Sequence, residues 1–151
     1  MQVEKVTTDI IPAWEDLARE VEPLFEDKMA GDKDFCEFMV RKIAQQDAFM
    51  VRDNSNKLLG LIAISHHVNA ISWFAVSEKQ RGKGIGALLL SHAIEDLDKT
   101  KEISVITFRE GDKAGLRARK LYQKFGFRDF EPDCIFNGHH RCTMKRPPQN
   151  K

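Results

Sequence analysis

The stretch at residues 73–86 reads Trp73-Phe74-Ala75-Val76-Ser77-Glu78-Lys79-Gln80-Arg81-Gly82-Lys83-Gly84-Ile85-Gly86. Residues 71–76, which overlap the beginning of this stretch, are rich in aromatic and β-branched residues and predict a strand. The glycines that follow lead into a segment with apolar residues at helical spacing, from about residue 84 to 98, which predicts a helix. A strand, a glycine loop and a helix therefore follow one another directly.

Glycines at positions 82, 84 and 86 leave the backbone N–H groups of the loop free of side-chain obstruction. The N-terminus of the following helix carries partial positive charge, so the loop and the helix together favour a phosphate ligand. Arg81 and Lys83 add two cations inside the same loop. A glycine loop before a helix is also a common ordinary turn, so its details have to decide what it binds.

Two common phosphate-binding loops do not match these details. The Walker loop requires Gly-Lys followed by Ser or Thr, whereas Gly84 follows Lys83 here. The dinucleotide fingerprint places its third glycine three positions after the second, whereas Gly86 comes two positions after Gly84. We therefore expect neither a mononucleotide P-loop nor a dinucleotide site.

Upstream of the loop, the pattern predicts a first strand at residues 2–7 and a hairpin of strands at 48–51 and 58–65. Between them we expect two helices, the first capped by Asp9 and broken at Pro23, the second following Gly31 with Asp32 as its cap. Downstream, the pattern predicts a strand at residues 103–108, a helix at 113–124 and a terminal hairpin.

The chain of 151 residues has the size of one domain, which we expect to span residues 1–146, with a disordered tail at 147–151. No apolar run is long enough for a membrane span, and no secretory signal is recognisable at the N-terminus, so we expect a cytoplasmic protein. The 3 cysteines are odd in number and irregularly spaced, which favours free thiols.

The charges are unevenly distributed along the chain. Residues 1–40 hold 11 Asp and Glu against 4 Lys and Arg, whereas residues 41–151 hold 12 against 20. These halves are either two solvated faces, or an acidic side for a cationic substrate and a basic side for a polyphosphate ligand.

Two segments carry a resemblance to a known family. The loop at residues 81–86 resembles the Gln/Arg-x-x-Gly-x-Gly/Ala signature of the GNAT superfamily, the Gcn5-related N-acetyltransferases, whose loop wraps the pyrophosphate of acetyl-coenzyme A. The segment at residues 115–127 is similar to the second signature of that family, in which an alanine, then Leu-Tyr, then Gly-Phe recur at this spacing. Two independent signatures in the right order are much more specific than one.

The resemblance implies an α+β (α/β/α) fold with a mixed, mostly antiparallel sheet of about six to seven strands and flanking helices. In that family the fourth and fifth strands splay apart, and the fourth pairs with the pantetheine arm of the cofactor. The implied cofactor-binding residues are Phe74, Ala75, Val76, Arg81, Gly82, Lys83, Gly84, Ile85, Gly86, Ala87, Gly115, Ala118 and Tyr122. Arg117, Arg119 and Lys120 are further candidate cations for the phosphates, near the second signature in sequence, although Arg117 and Lys120 could equally be solvated residues of a helix face.

Acetyl transfer from a thioester needs a neutral amine, donors for the carbonyl oxygen and a proton for the departing thiolate. The resemblance implies that Tyr122 supplies that proton and that the backbone N–H of Val76 or its neighbour faces the oxygen. Gly115 stands where many members of the family carry an asparagine that contacts the cofactor.

The general base is the least defined role. Histone-acetylating relatives place a glutamate near the start of the fourth strand, but residues 69–72 read Asn-Ala-Ile-Ser. His66 and His67 are candidates for relaying a proton through water, and Glu78 is better interpreted as a solvated loop residue.

Cys134, His139, His140 and Cys142 are all possible zinc ligands. Adjacent histidines do not readily share one tetrahedral site, and the spacing matches no common zinc finger. A terminal hairpin accounts for the segment, so we expect no metal.

The sequence thus predicts an acetyl-CoA-dependent N-acetyltransferase that acts on a primary amine of a small molecule or peptide. We expect no nucleic acid or membrane partner, because the aromatic residues are not interleaved with the basic ones; a homodimer is left open. A non-catalytic acyl-CoA binding module is the alternative. Polyamines, aminoglycosides, amino acids and protein N-termini all remain open as acceptors, whose sites in this family are built from the first two helices and the terminal hairpin.

Overall fold

The computed structural model describes residues 1–149, which form seven strands and four helices. The strands are β1 (Glu4–Lys5), β2 (Ala48–Arg52), β3 (Leu58–Ser65), β4 (Ala70–Val76), β5 (Ile103–Thr107), β6 (Arg128–Phe136) and β7 (His139–Arg146). The helices are α1 (Ile11–Phe25), α2 (Lys33–Ala44), α3 (Ile85–Asp96) and α4 (Leu116–Lys124). Short 3₁₀ turns precede α1, the glycine loop and α4. Within residues 1–149, no helix is long and apolar enough to cross a bilayer.

All seven strands form one sheet in the order β1-β2-β3-β4-β5-β7-β6. Every neighbouring pair is antiparallel except β4 and β5, which run parallel. Their pairing is limited to Ala70 with Ser104 and Ile71 with Val105. Beyond that point the two strands separate, so the predicted mixed sheet with splayed fourth and fifth strands is confirmed.

A β-bulge lies where this separation begins. Ala63 on β3 pairs with Trp73, but the next residue of β3, Ile64, pairs with Ile71. Ser72 is therefore an extra residue on β4. A bulge bends its strand and increases the local twist, so this one turns β4 away from β5 immediately after their last pair.

The sheet separates two apolar cores. Trp73 and Ala75 of β4 face the core beneath α1 and α2, whereas Phe74 and Val76 face the core beneath α3 and α4. This alternation is that of a strand covered by helices on both faces. A Cβ atom on Gly60 would lie 3.1 Å from the side chains of Ile85 and Leu89, so the glycine lets α3 lie close against β3.

The N-terminal elements differ from the prediction. The first strand is only Glu4–Lys5, and Asp9 does not cap α1. It lies in a 3₁₀ turn at Thr8–Ile10, where its carboxylate accepts a hydrogen bond from the Thr7 hydroxyl. The helix begins at Ile11 without a side-chain cap and has Pro12 in its first turn.

Pro23 does not break α1, which continues to Phe25. A proline this close to the C-terminal end removes one helical hydrogen bond, and the bonds nearby can maintain the helix. The chain leaves the helix at Glu26, whose φ of 60° is left-handed. Asp32 is confirmed as the cap of α2, because its carboxylate accepts the Phe35 N–H at 3.0 Å.

The final residues of the described chain have no regular secondary structure from 147 to 149. The Gln149 N–H donates to the Lys99 carbonyl at 2.7 Å. Residues 150 and 151, the rest of the predicted disordered tail, lie outside the described residues.

Candidate functional site

One edge of β4 is free along the gap left by β5. The Ser77 N–H donates to the Leu59 carbonyl of β3 at 2.9 Å. Alternate residues of a strand direct their backbone groups to opposite neighbours, so Phe74 and Val76 turn their N–H and C=O groups away from β3. These groups face the side where β5 no longer pairs. The free edge can therefore pair with an extended ligand, and the Val76 N–H predicted to face the oxyanion lies on it.

The glycine loop follows β4 and a short 3₁₀ turn. Gly82 and Gly84 each have a φ of +82°, a conformation that residues with a side chain rarely adopt, and no atom lies within 4 Å of a Cβ added at either. Gly84 is the N-cap of α3, and no side chain caps this end. The first hydrogen bond of α3 runs from the Leu88 N–H to the Gly84 carbonyl. The backbone N–H groups just before Leu88 have no helical partner and can bind an anion.

The predicted cations divide into two groups. In the glycine loop Lys83 is exposed and Arg81 is half-buried, and Arg117 and Lys120 are exposed on α4. Arg119 is different, because only 5% of it is exposed. Its guanidinium donates to both carboxylate oxygens of Asp129, at 2.9 and 3.1 Å, and to the Phe108 carbonyl at 3.0 Å. The prediction of Arg119 as a phosphate-binding cation is therefore wrong, since the residue ties α4 to the sheet.

Tyr122 lies on α4 and borders the gap between β4 and β5. Its ring meets Phe74 edge-on at a centroid distance of 6.2 Å and lies 5.4 Å from Phe127. Burial raises the pKa of Tyr122, so the phenol stays protonated well above neutral pH. No hydrogen bond from the hydroxyl to another residue is seen within residues 1–149. The side chain therefore retains a proton to donate.

A cleft of about 530 Å³ opens beside Tyr122. Of the predicted cofactor-binding residues, Phe74, Ala118 and Tyr122 line it. The others, which are Ala75, Val76, residues 81–87 and Gly115, do not line it. The cleft extends instead to residues of the α1–α2 connection and of the β6–β7 hairpin. The glycine loop thus lies outside the cleft, and Tyr122 borders the cleft.

Packing explains why residue 115 is a glycine. Its φ of −99° suits any residue, but a Cβ atom there would lie 2.1 Å from the Cβ of Phe108. The Phe108 ring stacks on Phe25 with centroids 5.1 Å apart. Phe108 therefore occupies the space that the side chain of an asparagine at position 115 would need, which explains this departure from the family signature.

The two histidines considered as proton relays line a different depression, of about 560 Å³, and not the cleft. His66 Nδ1 lies 2.8 Å from Asp47 Oδ1, and Nε2 lies 3.0 Å from the Asp96 carbonyl oxygen. Burial disfavours the imidazolium, but the hydrogen bonds to the Asp96 carbonyl and the Asp47 carboxylate outweigh it and raise the pKa of His66. His66 therefore links the turn after β3 to Asp47 and to the end of α3, and these contacts favour its imidazolium form.

The possible zinc ligands of the terminal hairpin are not gathered at one point. His139 pairs with Asp27 at 3.1 Å, and His140 pairs with Asp133 at 2.8 Å. Burial and then the hydrogen bond to Asp129 raise the pKa of Cys142 to about 11, which makes it a neutral thiol. Within the described residues, the one group with ligand-type atoms all within 4.8 Å of one another is Asp47, His66 and Asp96.

Sequence reasoning missed Glu20, which supports the glycine loop from α1. One carboxylate oxygen accepts the Glu78 N–H at 2.8 Å, and the other accepts the Ser77 hydroxyl at 3.2 Å. These two residues begin the 3₁₀ turn that leads into the loop. Because the partners are separated by more than 50 residues, no local pattern could have indicated the contact.

Comparisons with known proteins agree with this geometry. Residues 18–147 match the family model described as an acetyltransferase (GNAT) domain. A solved GNAT-family acetyltransferase from Staphylococcus aureus Mu50 aligns with a TM-score of 0.75 at 15% identity, covering 98% of this chain and 99% of that chain. A GNAT-family acetyltransferase from Bacillus cereus gives 0.74 at 16%, covering 99% and 98%. The ribosomal-protein-S18-alanine N-acetyltransferase from Escherichia coli gives 0.71 at 17%, covering 99% and 95%.

The search of curated proteins found no match to this chain. The chain combines a strand with a free edge, a glycine loop at a helix N-terminus and a bordering cleft, and the family-model match identifies it as an acetyltransferase. Since the family model covers most of its length, the chain belongs to the GNAT family of acetyltransferases.

We expect Glu20→Ala to weaken the binding of coenzyme A by about tenfold, because a hydrogen bond to a charged group typically contributes about 1.5–3 kcal/mol and here it orders the loop. Isothermal titration calorimetry measures the effect. Asp16→Ala, on the exposed surface of the same helix, is the matched control and should leave the affinity unchanged. Equal affinities in the two variants would contradict the role of Glu20.

The raised pKa of His66 predicts a pH-dependent contribution to stability. The link stabilises the fold fully below the unfolded-state pKa of about 6.5, and its contribution is lost as pH rises through the folded-state pKa. His66→Gln should therefore lower the melting temperature more at about pH 5.5 than at about pH 9. His67→Gln serves as the control. A pH-independent difference between wild type and His66→Gln would show that His66 is not held as the cation.

Proposed function

We propose that the protein transfers the acetyl group of acetyl-CoA to the primary amine of a small molecule or peptide. The observation that carries the proposal is the joint placement of three features: the free edge of β4, the open glycine loop at the N-terminus of α3, and Tyr122 beside the cleft. Each feature alone is also compatible with a purely structural role. Together they suit a long ligand with phosphates at one end and a reactive group at the other.

Acetyl-CoA would supply a thioester, whose carbonyl is activated towards an amine. The N–H groups of the glycine loop, with Arg81 and Lys83, suit its pyrophosphate. The backbone groups of Phe74 and Val76 suit the amides of its pantetheine arm, in the way that a neighbouring strand would pair. The backbone donors belong to a strand paired with β3 and to a helix N-terminus, so they need little ordering on binding.

The free edge of β4 and Tyr122 at the cleft then divide the chemistry. The backbone N–H of Val76 or its neighbour on that edge donates a hydrogen bond to the carbonyl oxygen as negative charge develops there. The acceptor nitrogen forms the new C–N bond, the C–S bond breaks, and the Tyr122 hydroxyl donates its proton to the departing thiolate. No histidine lines the cleft in the described part of the chain, so the acceptor nitrogen loses its proton to water or to a cleft aspartate.

The alternative of a non-catalytic acyl-CoA binding module is less well supported. A pure binding site has no need of a buried, protonated phenol at the edge of the acceptor cleft. Tyr122 is the only tyrosine of the chain, and it occupies this position.

We expect acetyl-CoA to raise the melting temperature of the wild-type protein, because a ligand that binds only the folded state stabilises it by about 2.7 kcal/mol at a hundredfold excess over Kd. Gly84→Val should abolish most of this shift, since valine resists the left-handed backbone and obstructs the approach of a phosphate. Differential scanning fluorimetry measures both. An undiminished shift in a folded Gly84→Val variant would mean that the loop is only a turn.

Tyr122→Phe should lower kcat by about 100-fold, the lower end of the usual range for general acid catalysis, because a thiolate is a tolerable leaving group. The ring and its contacts with Phe74 and Phe127 are kept, so the affinity for acetyl-CoA should change little. Steady-state kinetics and melting temperature are measured on the same preparation. A kcat within about twofold of wild type would exclude Tyr122 as the acid.

A further inference from the structure

Aromatic rings form one wall of the cleft. Phe35 and Phe38 of α2 and Trp73 of β4 line it. Phe35 lies 5.9 Å from Phe38 and 6.1 Å from Trp73, measured between ring centroids, and Trp14 supports all three from the core. The rings therefore pack against one another and form an apolar wall.

A second aromatic wall comes from other elements. Phe25 stacks on Phe108 with an angle of 26° between the rings, and both line the cleft. Arg141 holds this pair in place, because its guanidinium lies 4.9 Å from the Phe108 ring centroid and donates to the Phe25 carbonyl at 2.8 Å. Phe136, at the end of β6, extends this side of the cleft.

The charged residues of the cleft are concentrated around the α1–α2 connection. Asp27, Asp32 and Asp34 line it, together with the cations Lys28 and Arg141. Arg141 is committed to the Phe25 and His140 carbonyls, Asp27 pairs with His139, and Asp32 caps α2. Asp34 is exposed, and within residues 1–149 it forms no ion pair. This end of the cleft therefore has carboxylate oxygens that form no hydrogen bond or ion pair within the described residues.

We propose that the acceptor is a primary amine attached to a flat aromatic group, which lies between the two walls while the aspartates attract its ammonium form. The proposal rests on the proposed function and names its substrate class. Aromatic rings gain from edge-on and offset contacts with other rings, in addition to the burial of their area. The carboxylates raise the local concentration of a cationic amine.

Other amine classes fit these walls less well. A polyamine has no ring to stack on the walls, and its ammonium groups would lose part of their hydration to lie against the aromatic faces. An aminoglycoside would bury many hydroxyl groups against rings that cannot form hydrogen bonds with them, which is unfavourable. The walls therefore select against acceptors that are polar along their whole length.

The test compares 2-phenylethylamine with n-hexylamine, two primary amines of similar size and equal charge, in a coenzyme A release assay with acetyl-CoA. Contacts of the ring with two walls should raise kcat/KM for 2-phenylethylamine by about tenfold over n-hexylamine. Spermidine is the polyamine in the same series. Equal or higher kcat/KM for n-hexylamine or spermidine would overturn the proposal, while acetylation of either would leave the proposed function intact.

Two variants with matched controls locate the effect. Phe136→Leu keeps an apolar side chain but removes a ring from the cleft, and it should lower kcat/KM for 2-phenylethylamine about threefold or more. Phe130→Leu, exposed on the same strand and outside the cleft, should not. Asp34→Asn should raise KM for the amine severalfold, whereas Glu37→Gln, exposed on the same helix and outside the cleft, should not.

Both substituted phenylalanines are exposed, so the variants are expected to fold, and their melting temperatures confirm it. Identical kinetics of each variant and its control would overturn the assignment of the walls. If none of the three amines is acetylated although acetyl-CoA raises the melting temperature, the acceptor proposal fails while cofactor binding stands. If acetyl-CoA also has no effect, the proposed function fails with it.

Discussion

The limited pairing of β4 and β5 is the constraint on which the site depends. Two pairs of residues hold the parallel strands together, and the bulge at Ser72 then turns β4 away. Backbone N–H and C=O groups without partners are costly when water is excluded, so the free edge at Phe74 and Val76 must be satisfied by solvent or by a ligand. The sheet thereby has a free binding edge in its middle, where neighbouring strands normally pair their backbone N–H and C=O groups.

The other features of the site are arranged around this gap. The glycine loop begins where β4 ends, and Glu20 of α1 fixes the turn that connects them. On the opposite side, Arg119 ties α4 to Asp129 of β6, which sets the position of Tyr122 on the same helix. Phe108 follows β5 directly and fills the space beside Gly115. Residues buried in the framework thus determine where the residues that border the cleft lie.

Local and short-range signals were sufficient to predict the order of strands and helices, the hairpins, the glycine loop and Asp32 as a cap, whereas the fold class came from the resemblance to the two GNAT signatures. They failed at Asp9 and Pro23, where a 3₁₀ turn and the position near the helix end override the usual preferences. The roles of Arg119 and Glu20 could not be predicted, because each depends on a partner that only the tertiary fold brings close. For the same reason the aromatic walls, built from α1, α2, β4, β6 and the loop after β5, are not visible as a sequence motif.

Amide hydrogen exchange on β4 tests the central claim, that the cofactor pairs with the free edge of this strand. Residue-resolved exchange is measured with and without acetyl-CoA. The account predicts increased protection at the Phe74 and Val76 amides, with little change at Trp73 and Ala75, whose N–H groups face β3 already. Unchanged exchange at Phe74 and Val76 under conditions where acetyl-CoA is bound would contradict it.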